Sequence, residues 1–107
     1  MTAKETALAF IERFCSADLD GLERLLAPDL AFTGPLLQSG SAAEYIRALR
    51  FDPPEPAPYR IDLVQEESEK VFIKWSWHKS TGHLALEQSF EISDGRIRAV
   101  RLELCSG

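Results

Sequence analysis

The sequence predicts an α+β fold in which three helices near the amino end pack on one face of a strongly curved, mainly antiparallel sheet. Capping-box patterns at residues 2–5 and 41–44 each precede apolar residues spaced three and four apart, which indicates amphipathic helices. From Tyr59 onward, apolar and polar residues alternate over long runs, as in strands with one buried face. Helices first and strands afterwards is the layout of an α+β fold.

The clearest local signal is a hairpin over residues 84–104. Asp94-Gly95 lies between two alternating runs, and both central positions of a type I′ turn require positive φ. Gln88 interrupts the apolar face of the first strand, and a buried amide needs a partner, a water or a ligand. The apolar residues that share this face are Leu84, Leu86, Phe90, Ile92, Val100, Leu102 and Leu104.

The helices are placed by their caps and by apolar spacing. The first is predicted from residue 2 to about residue 16, with Phe10 at the edge of its apolar stripe. The second, shorter helix lies within residues 18–28, because Asp caps its start and Pro28 ends it. The third follows Ser41 and places Tyr45 on its inner face.

The strands are placed by alternation and by the residues that break it. Residues 29–33 predict a short strand, followed by a loop to Gly40. The proline-rich stretch 52–58 excludes both helix and internal strand, so it is predicted to be a stiff rim loop. Residues 59–65 and 70–79 alternate and predict two strands before the hairpin, which completes an antiparallel meander of four.

Length and charge limit the classes of partner. A chain of 107 residues predicts one domain over residues 1–107, since chains this short rarely hold two cores. The net charge is −5, from 17 acidic and 12 basic residues, and no basic run or stripe is present. Nucleic acid and anionic membrane are therefore not expected as partners.

The start of the chain and the two cysteines indicate a cytoplasmic protein. The first ten residues carry charges within a short apolar run, so we expect neither a signal peptide nor a membrane span. Cys15 and Cys105 lack metal-ligand spacing and are interpreted as free thiols. We expect no cofactor and no metal site.

Three segments carry a resemblance to a known superfamily. They are residues 16–35 (SADLDGLERLLAPDLAFTGP), residues 39–49 (SGSAAEYIRAL) and residues 88–102 (QSFEISDGRIRAVRL). With the order of elements, they resemble the NTF2-like, or SnoaL-like, superfamily, and most of all its ketosteroid isomerases. The resemblance implies the cystatin/NTF2-like cone, a curved sheet capped by helices, whose open mouth suits a small molecule. This fold hosts many enzymes and non-enzymes, so fold alone does not give the function.

The resemblance also locates the positions of the isomerase residues. The proton-shuttling Asp of those isomerases falls on Gly34, and their oxyanion-hole Tyr falls on Phe10. Their protonated oxyanion-hole Asp falls on Gln88. The base is absent and only a neutral amide remains as donor, so the chain is not expected to run the isomerase reaction by that mechanism.

The candidate ligand-binding residues face the interior of the predicted cone. Gln88 either bonds a ligand oxygen or bonds internally, to backbone or to Tyr45. Trp75 and Trp77 form either an apolar ligand wall or plain core packing, and at least one indole N–H needs a partner. The full candidate set is Gln88, Trp75, Trp77, Tyr45, Phe10, Phe14, Phe90, Val100 and Leu102.

Four polar residues near the ends of the predicted elements are secondary candidates. Gln65, Lys79 and Arg98 share the inward parity, and we expect them to extend to solvent. An Arg98 that instead lines the mouth would suit a carboxylate ligand. Asp29 is interpreted as a turn residue, and it is the one acid expected near the mouth that merits a test as a base.

The opposite face of the sheet carries two further patterns. His78, His83 and Glu87 share the outward parity, and we interpret them as surface residues because a metal there would lack a surrounding cage. An apolar strip on the same face indicates a partner, and a twofold homodimer is the predicted one. The strip consists of Val64, Phe72, Ala85, Ile97 and Ala99.

Three functions remain open from the sequence. The first is a non-catalytic cone that binds a small apolar ligand. The second is a SnoaL-like enzyme, of the isomerase, cyclase or hydrolase type, acting on a polyketide- or terpenoid-like substrate. The third is a dimeric interaction module without catalysis. An enzyme requires a titratable group within hydrogen-bond reach of its substrate, whereas a binder requires only an open apolar cavity.

Overall fold

The computed structural model describes residues 1–105, which form three helices and one six-stranded sheet. The helices lie in the first half of the chain and the long strands in the second, as predicted. In chain order the elements are α1 (Ala3–Cys15), α2 (Leu19–Glu23), β1 (Leu26–Thr33), β2 (Gln38–Ser39), α3 (Ala42–Phe51), β3 (Tyr59–Glu67), β4 (Lys70–Lys79), β5 (Gly82–Ser93) and β6 (Arg96–Leu104).

The sheet is mixed, with the strand order β2-β1-β6-β5-β4-β3. Strands β3 to β6 form the predicted antiparallel meander, while β1 pairs parallel to β6 and β2 antiparallel to β1. Side chains from α1, α3 and one face of the sheet form a single core cluster. We call this helix-covered side the inner face and the opposite side the outer face. No helix within residues 1–105 has the length and apolar character needed to cross a bilayer.

Two predicted local features, a helix cap and a hairpin turn, are confirmed. The Thr2 side chain accepts from Glu5 N, and the Glu5 carboxylate accepts from Thr2 N, so α1 begins with a complete capping box. Asp94 and Gly95 have φ values of 53° and 74°, both in the left-handed region that a type I′ hairpin requires.

The boundary between α2 and β1 differs from the prediction. The helix ends at Glu23, not at Pro28, and β1 begins at Leu26, three residues earlier than expected. Between Leu26 and Ala31 the pairing with β6 shifts register, which leaves the segment around Pro28 bulged. Proline lacks an N–H and is tolerated in strands at such bulges. The leucines of this segment have helical spacing, so the sequence pattern does not indicate that the strand begins at Leu26.

The loop predicted before Gly40 also contains a strand. Gln38 and Ser39 form β2, which pairs with Thr33 and Phe32 at the free edge of β1. Two residues carry too little alternation for a sequence pattern to indicate a strand.

A β-bulge in β3 reverses the parity predicted for its second half. Ile61 lies opposite Trp75, but Leu63 lies opposite Lys74, so one extra residue separates the two pairs. Val64 therefore packs against the core, and Gln65 lies opposite the outward Phe72. The predictions that Gln65 has the inward parity and that Val64 belongs to the outer strip were therefore wrong.

A second bulge lies in β6, where this strand pairs with β5. Ile97 lies opposite Ile92 and Ala99 lies opposite Glu91, so Arg98 is the extra residue. Ile97 is fully buried, and the prediction that it belongs to an outer apolar strip was wrong. Arg98 is exposed on the outer side, where its guanidinium lies 3.4 Å from the Asp29 carboxylate.

The bulges explain how the sheet closes over the helices. A bulge bends its strand and increases the local right-handed twist. With bulges in β3, in the β5–β6 ladder and in the β1–β6 ladder, the sheet curves around α1 and α3. Curvature turns the inner face into the lining of a cone, which is the architecture expected from the sequence.

The Gly95 backbone generates the first prediction. Its φ of 74° is costly for a residue with a Cβ, so Gly95→Ala should lower the free energy of unfolding by about 1 kcal/mol in urea titrations. Gly40→Ala is the control, because a Cβ there meets only Glu44 Oε2 at 3.8 Å. Equal losses for the two variants would contradict the assignment of strain to the turn.

Candidate functional site

The nine candidate residues all belong to the inner side of the molecule. Phe14 and Leu102 are half-buried and the other seven are buried. They come from α1, α3, β4, β5 and β6, so the fold brings together residues that are distant in the sequence. The buried seven are Gln88, Trp75, Trp77, Tyr45, Phe10, Phe90 and Val100.

An aromatic cluster fills the part of the cone beneath α1 and α3. The Phe10 ring packs edge-on against Phe90 at 5.3 Å between centroids and lies 6.2 Å from Tyr45. Tyr45 stacks on Phe32 at 4.4 Å. Phe10 therefore lies in the centre of the core and not at the edge of the apolar stripe of α1. The sequence pattern did not indicate the contact with Phe32.

A second cluster lies farther along the inner face, around Trp77. Its ring meets Phe14 edge-on at 5.3 Å and lies 6.3 Å from the Trp75 ring. The Lys79 Nζ lies 4.9 Å from the centre of the Trp77 ring, a cation–π distance. Lys79 thus keeps the inward side that its parity predicted and covers the tryptophan.

Gln88 bonds to a tryptophan within the core. Its Oε1 accepts a hydrogen bond of 3.0 Å from Trp75 Nε1, and both side chains are buried. The internal partner is therefore Trp75, not the backbone or the Tyr45 hydroxyl considered from the sequence. Gln88 lies on β5 and Trp75 on β4, so this bond also links two strands across the inner face.

Trp77 differs from Trp75 in its polar atom. Trp77 Nε1 is buried, and among residues 1–105 it has no hydrogen-bond partner. A buried indole N–H without an acceptor is unusual, because most buried polar groups are paired.

The inner face remains open at the end of the sheet where β5 begins and β6 ends. Leu84, directly opposite Trp77, is 38% exposed, and Leu104, opposite Leu86, is 53% exposed. Their parity had placed both on the inner face, but they were not among the candidates. We call the surface formed by Phe14, Trp77, Leu84, Leu102 and Leu104 the mouth.

Two titratable groups of the inner side, Cys15 and Tyr45, have raised pKa values. Burial raises the pKa of the Cys15 thiol to about 12, and burial also raises the pKa of Tyr45 well above its usual range. Both groups are therefore neutral at pH 7. Asp29 lies exposed on the outer face beside Arg98, so the prediction that it lies near the mouth was wrong.

The group of His78, His83 and Glu87, which was predicted to be a surface feature, lies on the outer face. His78 and His83 are opposite each other on neighbouring strands, with their rings stacked 4.1 Å apart. Glu87 forms an ion pair of 3.6 Å with Lys74. Within residues 1–105, no cluster of three His, Cys, Asp or Glu side chains is arranged to hold a metal ion.

Two overlapping troughs of about 790 and 890 Å³ cross the outer face. Their shared floor includes Ala31 and Ala99, and Phe72 lines the larger one. Charged side chains of both signs form their edges, including Lys70, Glu91 and, in the smaller trough, Arg98. Of the nine candidate residues, Phe90 and Val100 line the larger trough and the other seven line neither.

The Gln88–Trp75 bond generates a prediction about stability. Gln88→Leu leaves the Trp75 N–H buried without an acceptor, which should lower the free energy of unfolding by about 1–3 kcal/mol. Trp75→Phe in the same background removes the donor, so the double variant should lose less than the sum of the two single variants. Strictly additive losses in urea titrations would show that the bond contributes nothing.

Sequence comparison and structure comparison give different outcomes for this chain. No protein-family profile matches it, and no curated protein matches its sequence. Solved structures do match over nearly its whole length. An NTF2-like protein from Cytophaga hutchinsonii shares 15% identity and a TM-score of 0.83, covering 98% of this chain and 91% of the other.

Two further similar structures belong to proteins with named activities. A candidate ketosteroid isomerase from Kribbella flavida has 14% identity and a TM-score of 0.85, covering 98% of this chain and 78% of the other. An LEH-like epoxide hydrolase from M. tuberculosis has 17% identity and a TM-score of 0.79, covering 96% and 82%. At such identities the likeness shows architecture alone. The chain has the α+β cone fold of the NTF2-like superfamily.

Proposed function

We propose that the chain binds a small apolar ligand at the mouth of its cone, without ketosteroid isomerase chemistry. Ligand sites are concave and mostly apolar, with a few polar groups that fix orientation. The mouth has this composition, since it combines two aromatic rings, three leucines and one indole N–H.

The observation that carries the proposal is the exposure of inner-face leucines beside a buried tryptophan. Leu84 and Leu104 have the parity of core residues, yet they remain accessible where the helices no longer cover the sheet. Exposing apolar surface is unfavourable by about 25 cal/mol per Å², so an apolar molecule that covers these leucines gains free energy.

Binding is favoured over isomerase catalysis by the positions that the resemblance singled out. Phe10 and Gln88 lie on the inner side, and neither has an ionisable side chain. At Gly34 an added Cβ would lie 3.0 Å from the Phe32 ring, so an acid there would need the ring to move. Phe10, Gln88 and Gly34 therefore provide no group for general acid–base catalysis on an apolar substrate.

Native mass spectrometry tests the proposal. Protein purified under native conditions should carry a small molecule that is absent from a denatured sample. Leu84→Ser should reduce its occupancy several-fold, because the polar side chain weakens the apolar surface of the mouth.

Leu63→Ser is the matched control for that experiment. Leu63 is also 38% exposed but lies on the outer face, opposite Lys74. Equal loss of the bound molecule in both variants, or no bound molecule in the unaltered protein, would contradict binding at the mouth.

A homodimer through the outer face is a second candidate function, and the troughs favour it. Phe72 and the small residues Ala31, Ala85 and Ala99 give this face an apolar centre. Ion pairs flank it, with Lys74 at 3.6 Å from Glu87 and Arg101 at 2.9 Å from Glu103. A twofold axis places the same patch on itself, and mixed charges at its edges allow pairing without net repulsion.

Light scattering after size-exclusion chromatography tests the dimer. Phe72→Glu introduces a carboxylate at the centre of the contact and should shift the protein from dimer to monomer. Phe51→Glu is the control, because Phe51 is exposed at the end of α3, away from the sheet. A monomeric unaltered protein, or a dimer that tolerates Phe72→Glu, would contradict this candidate.

A further inference from the structure

The unpaired indole of Trp77 separates two tryptophans that otherwise share one environment. Both lie on the inner face of β4, two residues apart, and both are more than nine-tenths buried. Trp75 Nε1 donates to Gln88 Oε1, whereas Trp77 Nε1 has no acceptor within residues 1–105. An indole nitrogen is a donor only, so its missing partner must be an acceptor.

The location of Trp77 indicates where that acceptor comes from. Trp77 lies opposite the half-exposed Leu84 and in contact with the Phe14 ring, at the mouth rather than in the deep core. A molecule that covers Leu84 therefore lies beside the Trp77 side chain. An oxygen of that molecule would satisfy this donor, which has no partner within residues 1–105.

A positive charge lies beside the same indole. Lys79 Nζ is 4.9 Å from the centre of the Trp77 ring and, among the residues described, forms no ion pair. Glu55, near the same turn, accepts a hydrogen bond from Ser80 Oγ. An indole N–H on a ring that has an ammonium group over its face favours an anionic oxygen, since hydrogen bonds to charged acceptors are about twice as strong as neutral ones.

Resting on the function proposed above, we propose that the ligand is an apolar carboxylic acid whose carboxylate accepts from Trp77 Nε1 and lies beside Lys79. The apolar body covers Leu84, Leu102 and Leu104. The head group enters at the Trp77 edge, where Lys79 balances its charge. Trp77 is then the specificity-determining residue of the site and Lys79 its charge partner.

Access to the indole requires a small movement of side chains, because Nε1 is closed off from solvent. The groups around it that have freedom to move are Leu84, which is partly exposed, and the flexible Lys79 side chain. Rotamer changes of this size are common when a ligand binds to an otherwise preformed site.

Three probes with one apolar body test the proposal: 4-phenylbutyrate, its methyl ester and butylbenzene. The chain has two tryptophans, so its ¹⁵N–¹H spectrum has two indole signals, and Trp77→Phe assigns them. The acid should move the Trp77 indole proton downfield, as a new hydrogen bond does, and leave the Trp75 signal in place. Butylbenzene should shift leucine methyl signals at the mouth without moving the Trp77 proton downfield.

Affinities of the variants provide the second readout. Trp77→Phe keeps an aromatic ring but removes the donor, so it should weaken 4-phenylbutyrate about tenfold while butylbenzene changes much less. Lys79→Met keeps the aliphatic stem, so it should weaken the acid about threefold and leave the ester unchanged. The unaltered protein should bind the acid more tightly than the ester.

Different failures of this experiment have different meanings. Binding of all three probes with equal affinity, and an unmoved Trp77 signal, would overturn the carboxylate proposal and leave the apolar site intact. A Trp77 signal that responds only to Phe14→Leu would assign the N–H to the face of the Phe14 ring and overturn the proposal as well. If none of the probes shifts an NMR signal of a mouth residue, the proposed ligand-binding function itself is contradicted.

Discussion

Apolar residues continue along the inner face of the sheet past the part that is buried, and the shape of the molecule depends on this mismatch. Beneath α1 and α3, the aromatic rings of Phe10, Tyr45 and Phe90 fill the cone and exclude water. Past the end of that cover, the same alternation continues into Leu84 and Leu104, which stay accessible. A strand pattern with period two does not stop where its cover stops, so the fold produces an apolar mouth.

The two tryptophans of β4 show how position along that face separates structure from recognition. The Trp75 indole lies under the cover and is paired with Gln88, so it contributes to the stability of the core. The Trp77 indole lies at the mouth with Lys79 over its ring and has no acceptor among the residues described. The same side chain on the same face is thus a core element at one position and a candidate ligand contact two residues later.

The sequence predicted the three helices, the long strands that follow them, the hairpin turn and the inner position of the aromatic residues, because caps, turn residues and alternation are local signals. It could not predict the bulges after Ile61 and at Arg98, because one extra residue changes the facing of every later side chain without altering composition. The mouth was missed for a related reason. Alternation marks Leu84 as inward but does not indicate whether a helix lies above it.

A crystal structure of the protein as purified tests the central claim, that the uncovered end of the inner face is a ligand site. We predict electron density for an elongated small molecule against Leu84 and Leu104, with an oxygen within hydrogen-bond distance of Trp77 Nε1. A mouth whose leucines are covered by a second copy of the chain, with no small molecule present, would contradict it. The inner face would then be an assembly surface rather than a binding site.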